Sequence, residues 1–243
     1  MSHIHINIDN LSFAYEHGEK ILDGISFTAR EQDSIGIVGA NGVGKSTLLK
    51  LLVGLNTEYE GSIRVEEIPV EKETLPRIRE KIGYVFQDSD SQLFMTTAYE
   101  DIAFAPRNYG LPPAEVEQRV QHALELVHIE YLRDKQIYKM SGGEKKLVSI
   151  ATILSMTPDI ILMDEPSVAL DPRNRRNLIH ILNEFEHLKI IASHDLDFIL
   201  DTCSRTILMS EGKIIADGDT KDILSDRKLL EAHGLELPLS MGK

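Results

Sequence analysis

Gly39-Ala40-Asn41-Gly42-Val43-Gly44-Lys45-Ser46-Thr47 follows an apolar run, Ser34-Ile35-Gly36-Ile37-Val38, and opens a segment, Lys45 to Val53, with an apolar helical face. The spacing G-x-x-x-x-G-K-[ST] between a strand and a helix describes a phosphate-binding loop. Its glycines let successive backbone N–H groups turn inward around a pyrophosphate, and the helix N-terminus behind them adds a positive dipole end. In such a loop Lys45 reaches the β- and γ-phosphates while the Ser46 hydroxyl holds Mg²⁺. The spacing is not the G-x-G-x-x-G of dinucleotide folds, so NAD and FAD are not expected.

On either side of the loop the pattern alternates. Residues 4–8 and 62–68 read as strands of an antiparallel layer, and Ile82-Gly-Tyr-Val-Phe86 as a short strand ending at Gln87. Residues 98–132 turn helical: Pro112 and Pro113 start a helix in which Val116, Val120, Leu124 and Val127 share a face. Beyond it the order is helix 142–156, strand 159–163, helix 172–187, strand 188–192, helix 195–202 and strand 205–209. Glu211-Gly212-Lys213 then turns a hairpin into 214–216, and a short helical tail closes the chain. This predicts a single α/β domain over 1–243: a P-loop core with a mainly parallel sheet, an antiparallel β layer and a helical subdomain at about 88–140.

Composition narrows the function. The 243 residues are 42% hydrophobic and 27% charged, as in an ordinary globular protein. No apolar run approaches the ~20 residues of a membrane span, and the first residues lack a signal-peptide pattern. The single cysteine, Cys203, cannot form an internal disulfide, which fits a reducing cytoplasm. A net charge of −13 argues against a general nucleic-acid binder, which needs a basic surface. The nine histidines show no spacing of a transition-metal site.

Further motifs are weak alone and stronger behind a phosphate loop. Ile160-Ile-Leu-Met163 delivers Asp164 and Glu165 to the end of a strand, where ligands of open α/β sheets gather. There Asp164 suits the Mg²⁺ shell, and Glu165 suits orienting or deprotonating an attacking water. Ser141-Gly142-Gly143-Glu144 opens a helix with a hydroxyl and exposed N–H groups that suit an oxyanion, although an ordinary capped helix start reads the same way. His194 follows the strand that ends at Ser193, a place where histidines are commonly structural.

The order of these motifs resembles the ATP-binding-cassette ATPases over essentially the whole chain. The resemblance implies that Tyr15 stacks on adenine, above a nucleotide held by Gly39, Asn41, Gly42, Gly44, Lys45, Ser46 and Thr47. Gln87 would touch Mg²⁺ and the attacking water. Ser141, Gly142, Gly143 and Glu144 would cap the γ-phosphate bound to the opposite subunit, Asp171 would link the two sites across the dimer, and His194 would contact the γ-phosphate. Met140, Glu144, Leu147 and Ala169 depart from the usual Leu, Gln, basic residue and Gly, without removing a ligand-bearing side chain.

A narrower resemblance lies in Gln87-Asp-Ser-Asp-Ser-Gln-Leu-Phe94, Tyr99-Glu-Asp-Ile-Ala-Phe104-Ala-Pro106 and Asn108-Tyr-Gly-Leu111. These stretches are similar to the energy-coupling-factor and cobalt/nickel-type import ATPases. The implied protein hydrolyses ATP with Mg²⁺, pairs head to tail with itself or a paralogous ATPase, and lies on the inner face of the cell membrane. Gln92, Leu93 and Phe94 would line a groove for a transmembrane coupling protein, which works beside a substrate-binding membrane subunit to take up a metal ion or vitamin. Rival readings are a soluble assembly ATPase of the same superfamily, such as one for iron–sulfur clusters, and a small-molecule kinase.

Overall fold

Three strands in which every residue is buried form the centre of the molecule: Ser34–Val38 (β3), Ile160–Asp164 (β7) and Leu188–Ala192 (β8). Continuous burial is what a parallel sheet covered on both faces requires. With Ile82–Val85 (β6), Arg205–Ser210 (β9) and Lys213–Asp219 (β10) they make a six-stranded sheet in the order β10-β9-β3-β8-β7-β6. All neighbours are parallel except β10, which returns antiparallel beside β9. The computed structural model describes residues 4–15 and 18–242.

A second, antiparallel sheet has the order β2-β1-β4-β5, from Ile4–Ala14 (β1), Lys20–Arg30 (β2), Glu60–Val65 (β4) and Ile68–Pro69 (β5). Between the sheets lies Lys45–Leu52 (α1). Its Leu48, Leu49, Leu51 and Leu52 are fully buried in one cluster with Ile6 and Phe27 of the antiparallel sheet and Ile190 and Ile207 of the parallel one. The helix that carries the phosphate-loop lysine is therefore clamped from both sides.

The other face of the parallel sheet is covered by helices: Ala98–Asn108 (α3), Pro113–Leu126 (α4), Gly142–Leu154 (α5), Pro172–Glu184 (α6) and Leu196–Thr202 (α7), then Thr220–Ser225 (α8) and Arg227–Ala232 (α9). Segment 88–140 holds α3, α4 and short 3-10 turns, and its apolar side chains share one core with α5 and the sheet. Cys203, between α7 and β9, is buried beside Thr202. No helix among the described residues is long and apolar enough to cross a membrane.

Some elements differ from the expectation. β1 runs on to Ala14 and pairs with an unforeseen β2, because irregularities such as Asn10 at φ +48° break the alternation that marks a strand. Leu75–Lys81 (α2) was also unforeseen, being short and polar with only Ile78 buried. The helix expected over 172–187 ends at Glu184, where the Lys189 ammonium donates to the Leu182 and Phe185 carbonyls.

Gly83 of β6 lies under α5, where an added Cβ would come within 2.0 Å of Ile153 Cγ2 and 3.2 Å of Pro158 Cγ. Replacing Gly83 with Val should therefore lower unfolding free energy by about 1–3 kcal/mol through overpacking. A denaturant midpoint unchanged from the parent would refute this.

Candidate nucleotide site

The loop between β3 and α1 takes a shape that only glycine accepts cheaply. Gly42 and Gly44 have φ of +83° and +104°. A Cβ at Gly44 would meet Leu22 Cδ2 at 2.6 Å, whereas a Cβ at Gly42 would point into open space. Gly44 thus fits the loop to the antiparallel sheet, and Gly42 leaves its outer side clear. Lys45 folds back into the loop, donating to the Gly39 carbonyl at 2.7 Å and the Ala40 carbonyl at 3.1 Å. Burial pushes its pKa down, and the Glu165 and Asp164 carboxylates pull it back up.

Over the loop lies a cavity of about 460 Å³, lined by Asn41, Gly42, Gly44 to Thr47, Gln87, Glu165 and His194. It shares Ile21, Asn41 and Gly42 with a cleft of about 850 Å³ bordered by Tyr15 and Gly212. Tyr15 is 45% exposed, packs edge-on against Phe13 and places its hydroxyl 3.4 Å from Thr47 Oγ1. A phosphate pocket continuous with a cleft beside an accessible aromatic ring has the shape of a nucleotide.

Strand β7 supplies the acidic wall. Ser46 Oγ donates to Asp164 Oδ1 at 2.9 Å, linking the loop to the strand end. Asp164 is buried; burial pushes its pKa up and the Ser46 hydrogen bond opposes this. The Tyr84 hydroxyl, also buried, has no hydrogen-bond partner by geometry among the described residues, and burial, together with the nearby Asp164 charge, raises its pKa. Among the described residues no cluster of three or more His, Cys, Asp or Glu could hold a metal on its own. The donor set is instead hard oxygen with a single carboxylate, Asp164, and the Ser46 hydroxyl. That set fits Mg²⁺, which keeps waters and leans on substrate phosphates.

Glu165 sits at φ +48°, and its backbone N–H donates to the Ala192 carbonyl of β8. Its carboxylate accepts from Ser193 Oγ at 3.0 Å and from the His194 backbone N–H at 3.0 Å, and His194 Nδ1 lies 2.8 Å from it. The His194 ring is 60% exposed, so its far edge faces outward. The ends of β7 and β8 thus bring Glu165 and His194 together at the mouth of the cavity.

Ser141 to Glu144 do not line that cavity. They form the start of α5, with Ser141 and Gly142 exposed and Gly143 and Glu144 half-buried, and Ser141 and Glu144 make a reciprocal capping box. Asp171 caps α6, accepting from the Arg173 and Asn174 N–H groups at 2.9 Å each. Ala169 has φ +68°, a left-handed conformation that costs a non-glycine residue roughly 1 kcal/mol and that the more usual Gly would adopt freely.

The expected docking groove needs correction. Leu93 is buried in the core, and Gln92 turns inward, accepting from the Phe86 N–H at 3.1 Å and donating to the Ser149 carbonyl and Thr152 Oγ1 at 2.8 Å each. Only Phe94 faces solvent, 65% exposed and edge-on to Phe104 with ring centres 4.8 Å apart. The cause is local: Asp101 accepts from the Phe94 and Met95 N–H groups and, with the turn at Ser89–Ser91, fixes which side chains point out. Sequence reasoning also missed Lys146. The residue is 2% exposed, and its ammonium donates to the Phe86 carbonyl at 2.9 Å and the Gln87 carbonyl at 2.7 Å, so α5 holds Gln87 in place. No motif marks it, since a lysine in a helix is normally solvated.

Lys45→Ala should abolish productive Mg-ATP binding, because it removes the cation seated inside the loop. Binding of radiolabelled ATP to purified protein measures this, and hydrolysis at the parent rate would overturn the assignment of the loop.

The sequence model of the ABC transporter family matches residues 22–168. A provisionally named ABC transporter ATP-binding protein of Geobacter sulfurreducens is 49% identical over 241 residues, covering 99% of this chain and 97% of that protein. The energy-coupling factor transporter ATP-binding protein EcfA of Carboxydothermus hydrogenoformans is 41% identical over 96% of this chain and 87% of its own. Among solved structures, cbiO1 of Clostridium perfringens, part of the ABC transporter complex cbiONQ, superposes with a TM-score of 0.82 at 34% identity, covering 94% of each chain. The ATP-binding cassette MJ0796, dimeric and bound to ADP and Pi, gives 0.82 at 25% identity, covering 88% of this chain and 98% of that one. The chain belongs to the ABC transporter family and is an ATP-hydrolysing, Mg²⁺-using subunit, of a kind that dimerises and works with transmembrane components.

Proposed function

We infer that this subunit powers import, as a head-to-tail homodimer or paired with a paralogous ATPase, on the inner face of the cell membrane. One observation carries the dimer. The phosphate-loop cavity lacks Ser141 to Glu144, and the same chain presents them outside it at a helix start whose Ser141 and Gly142 are exposed. A second copy, turned by a two-fold axis, supplies to each cavity what the other lacks. Support for import comes from the relatives named as energy-coupling-factor subunits and from cbiO1. The cargo under this reading is a metal ion or vitamin, recognised by a membrane subunit rather than by this chain.

Catalysis then rests on positioning and charge. Lys45 and the loop N–H groups hold the β- and γ-phosphates, and Tyr15 stacks on the adenine. Ser46, Asp164 and Gln87 would hold Mg²⁺, which supplies positive charge to the phosphate oxygens. Glu165 orients the attacking water and takes its proton, for which it gives up one of the donors now on its carboxylate. His194, beside Glu165 with its ring partly exposed, would meet the γ-phosphate. Asp171, at the cap of α6, meets the partner copy.

Glu165→Gln keeps volume and hydrogen bonding but loses the base. Hydrolysis should fall by about a hundredfold or more, while Mg-ATP still drives dimer formation on size-exclusion chromatography. A variant that stays monomeric with ATP at high protein concentration would count against the sandwich.

Phe94 is the part of the expected groove that can meet a membrane partner. Phe94→Asp should leave circular dichroism and basal ATPase intact, because the ring is exposed, and should abolish co-purification with the transmembrane protein. Retained co-purification and transport would remove the docking assignment.

A further inference from the structure

Glu144 puts a formal negative charge where the proposed mechanism asks a helix start to receive a phosphate. It is the third residue of α5. Its carboxylate accepts from the Ser141 N–H at 2.8 Å, and its own N–H donates to Ser141 Oγ at 3.3 Å. A glutamine would make the same capping box without the charge. As it stands, the carboxylate lies within one helical turn of the Ser141 hydroxyl and the Gly142 and Gly143 N–H groups, and opposes any anion brought there.

Among the described residues the charge is answered by one cationic side chain. Lys135 Nζ contacts both Glu144 oxygens, at 2.7 and 2.9 Å. Its backbone is fixed: the Lys135 carbonyl accepts from the Ala98 N–H at 3.2 Å, and the next residue, Gln136, bridges to Thr97. The ammonium therefore arrives from a segment whose backbone is tied to the start of α3. The neighbouring cation on the helix, Lys145, is committed to Asp90 instead. Lys135 and the Ser141 N–H together hold the Glu144 carboxyl below the usual carboxylate range, so it stays ionised.

We propose that Lys135 neutralises Glu144 so that the start of α5 can accept the γ-phosphate of ATP bound to a second copy. Lys135 is a positioning residue for ATP-driven dimerisation and touches no nucleotide. The proposal rests on the sandwich reading above and adds what makes the carboxylate at the interface tolerable. An alternative is that Lys135 simply pins α5 to the preceding segment, and the two ideas part on what removing the carboxylate does.

The test uses the full chain with Glu165→Gln and reads the Mg-ATP concentration for half-maximal dimer by light scattering. Lys135→Met should raise that concentration about tenfold, the effect of an unpaired charge within one turn of a helix start. Fluorescent-nucleotide affinity of the monomer should not change. Lys135→Arg should match the parent, and Lys135→Met combined with Glu144→Gln should return to within about twofold of it. The penalty should also shrink as salt is raised. An unchanged Lys135→Met variant overturns the proposal, as does a double variant as impaired as the single one, which is the result expected of a pin. If the Glu165→Gln parent itself fails to dimerise with Mg-ATP, the sandwich reading falls and this proposal falls with it.

Discussion

Two carboxylates, Asp164 and Glu165, stand at the end of a strand whose other residues are wholly apolar, and both are buried. Leaving such charges without partners would cost several kcal/mol each. The arrangement around them meets that demand: Ser46 comes from the phosphate loop, Ser193 and His194 from the end of β8, and the Lys45 ammonium lies close enough to feel both charges. The same contacts that make the carboxylates tolerable bind three strand ends into one site. That the parallel order places β3 beside β8 and β8 beside β7 is what lets them meet.

The helical face is joined to this site by a second buried charge. Lys146 reaches from α5 to the carbonyls of Phe86 and Gln87, and Gln92 reaches back from the following turn to α5. Each side chain bonds a carbonyl of the other segment. Gln87 and the start of α5 are thus ends of one braced unit. The side of the protein that presents Phe94 is continuous with it through Asp101 and the turn at Ser89–Ser91.

Much of this was legible in the sequence because it is periodic or locally spaced. The phosphate loop, the apolar strands and the Asp164-Glu165 pair declare themselves, since each depends on residues adjacent in the chain. β2 was not legible, because bulges in the antiparallel sheet disturb the alternation that marks a strand. Neither was Lys146: its role depends on a segment about sixty residues away, and nothing local distinguishes it from a surface lysine. Gln92, Leu93 and Phe94 read as one apolar-edged stretch, yet a 3-10 turn and one buried aspartate send two of them inward and one outward. Glu144 was legible as a departure, but its counter-charge, Lys135, was not, since the pairing is a matter of how the chain returns past α3.

Cys203 closes α7 against β9, and burial raises its thiol pKa. A thiol that is neither ionised nor reachable is inert to oxidants and alkylating reagents. As the chain has no other cysteine, its surface offers no reactive thiol. Oxidative stress has no direct handle on this subunit through sulfur exchange. One cysteine introduced at any exposed position would be the sole reactive thiol of each protomer, so a pair of copies would carry two identical and unambiguous reporters of how far apart they stand.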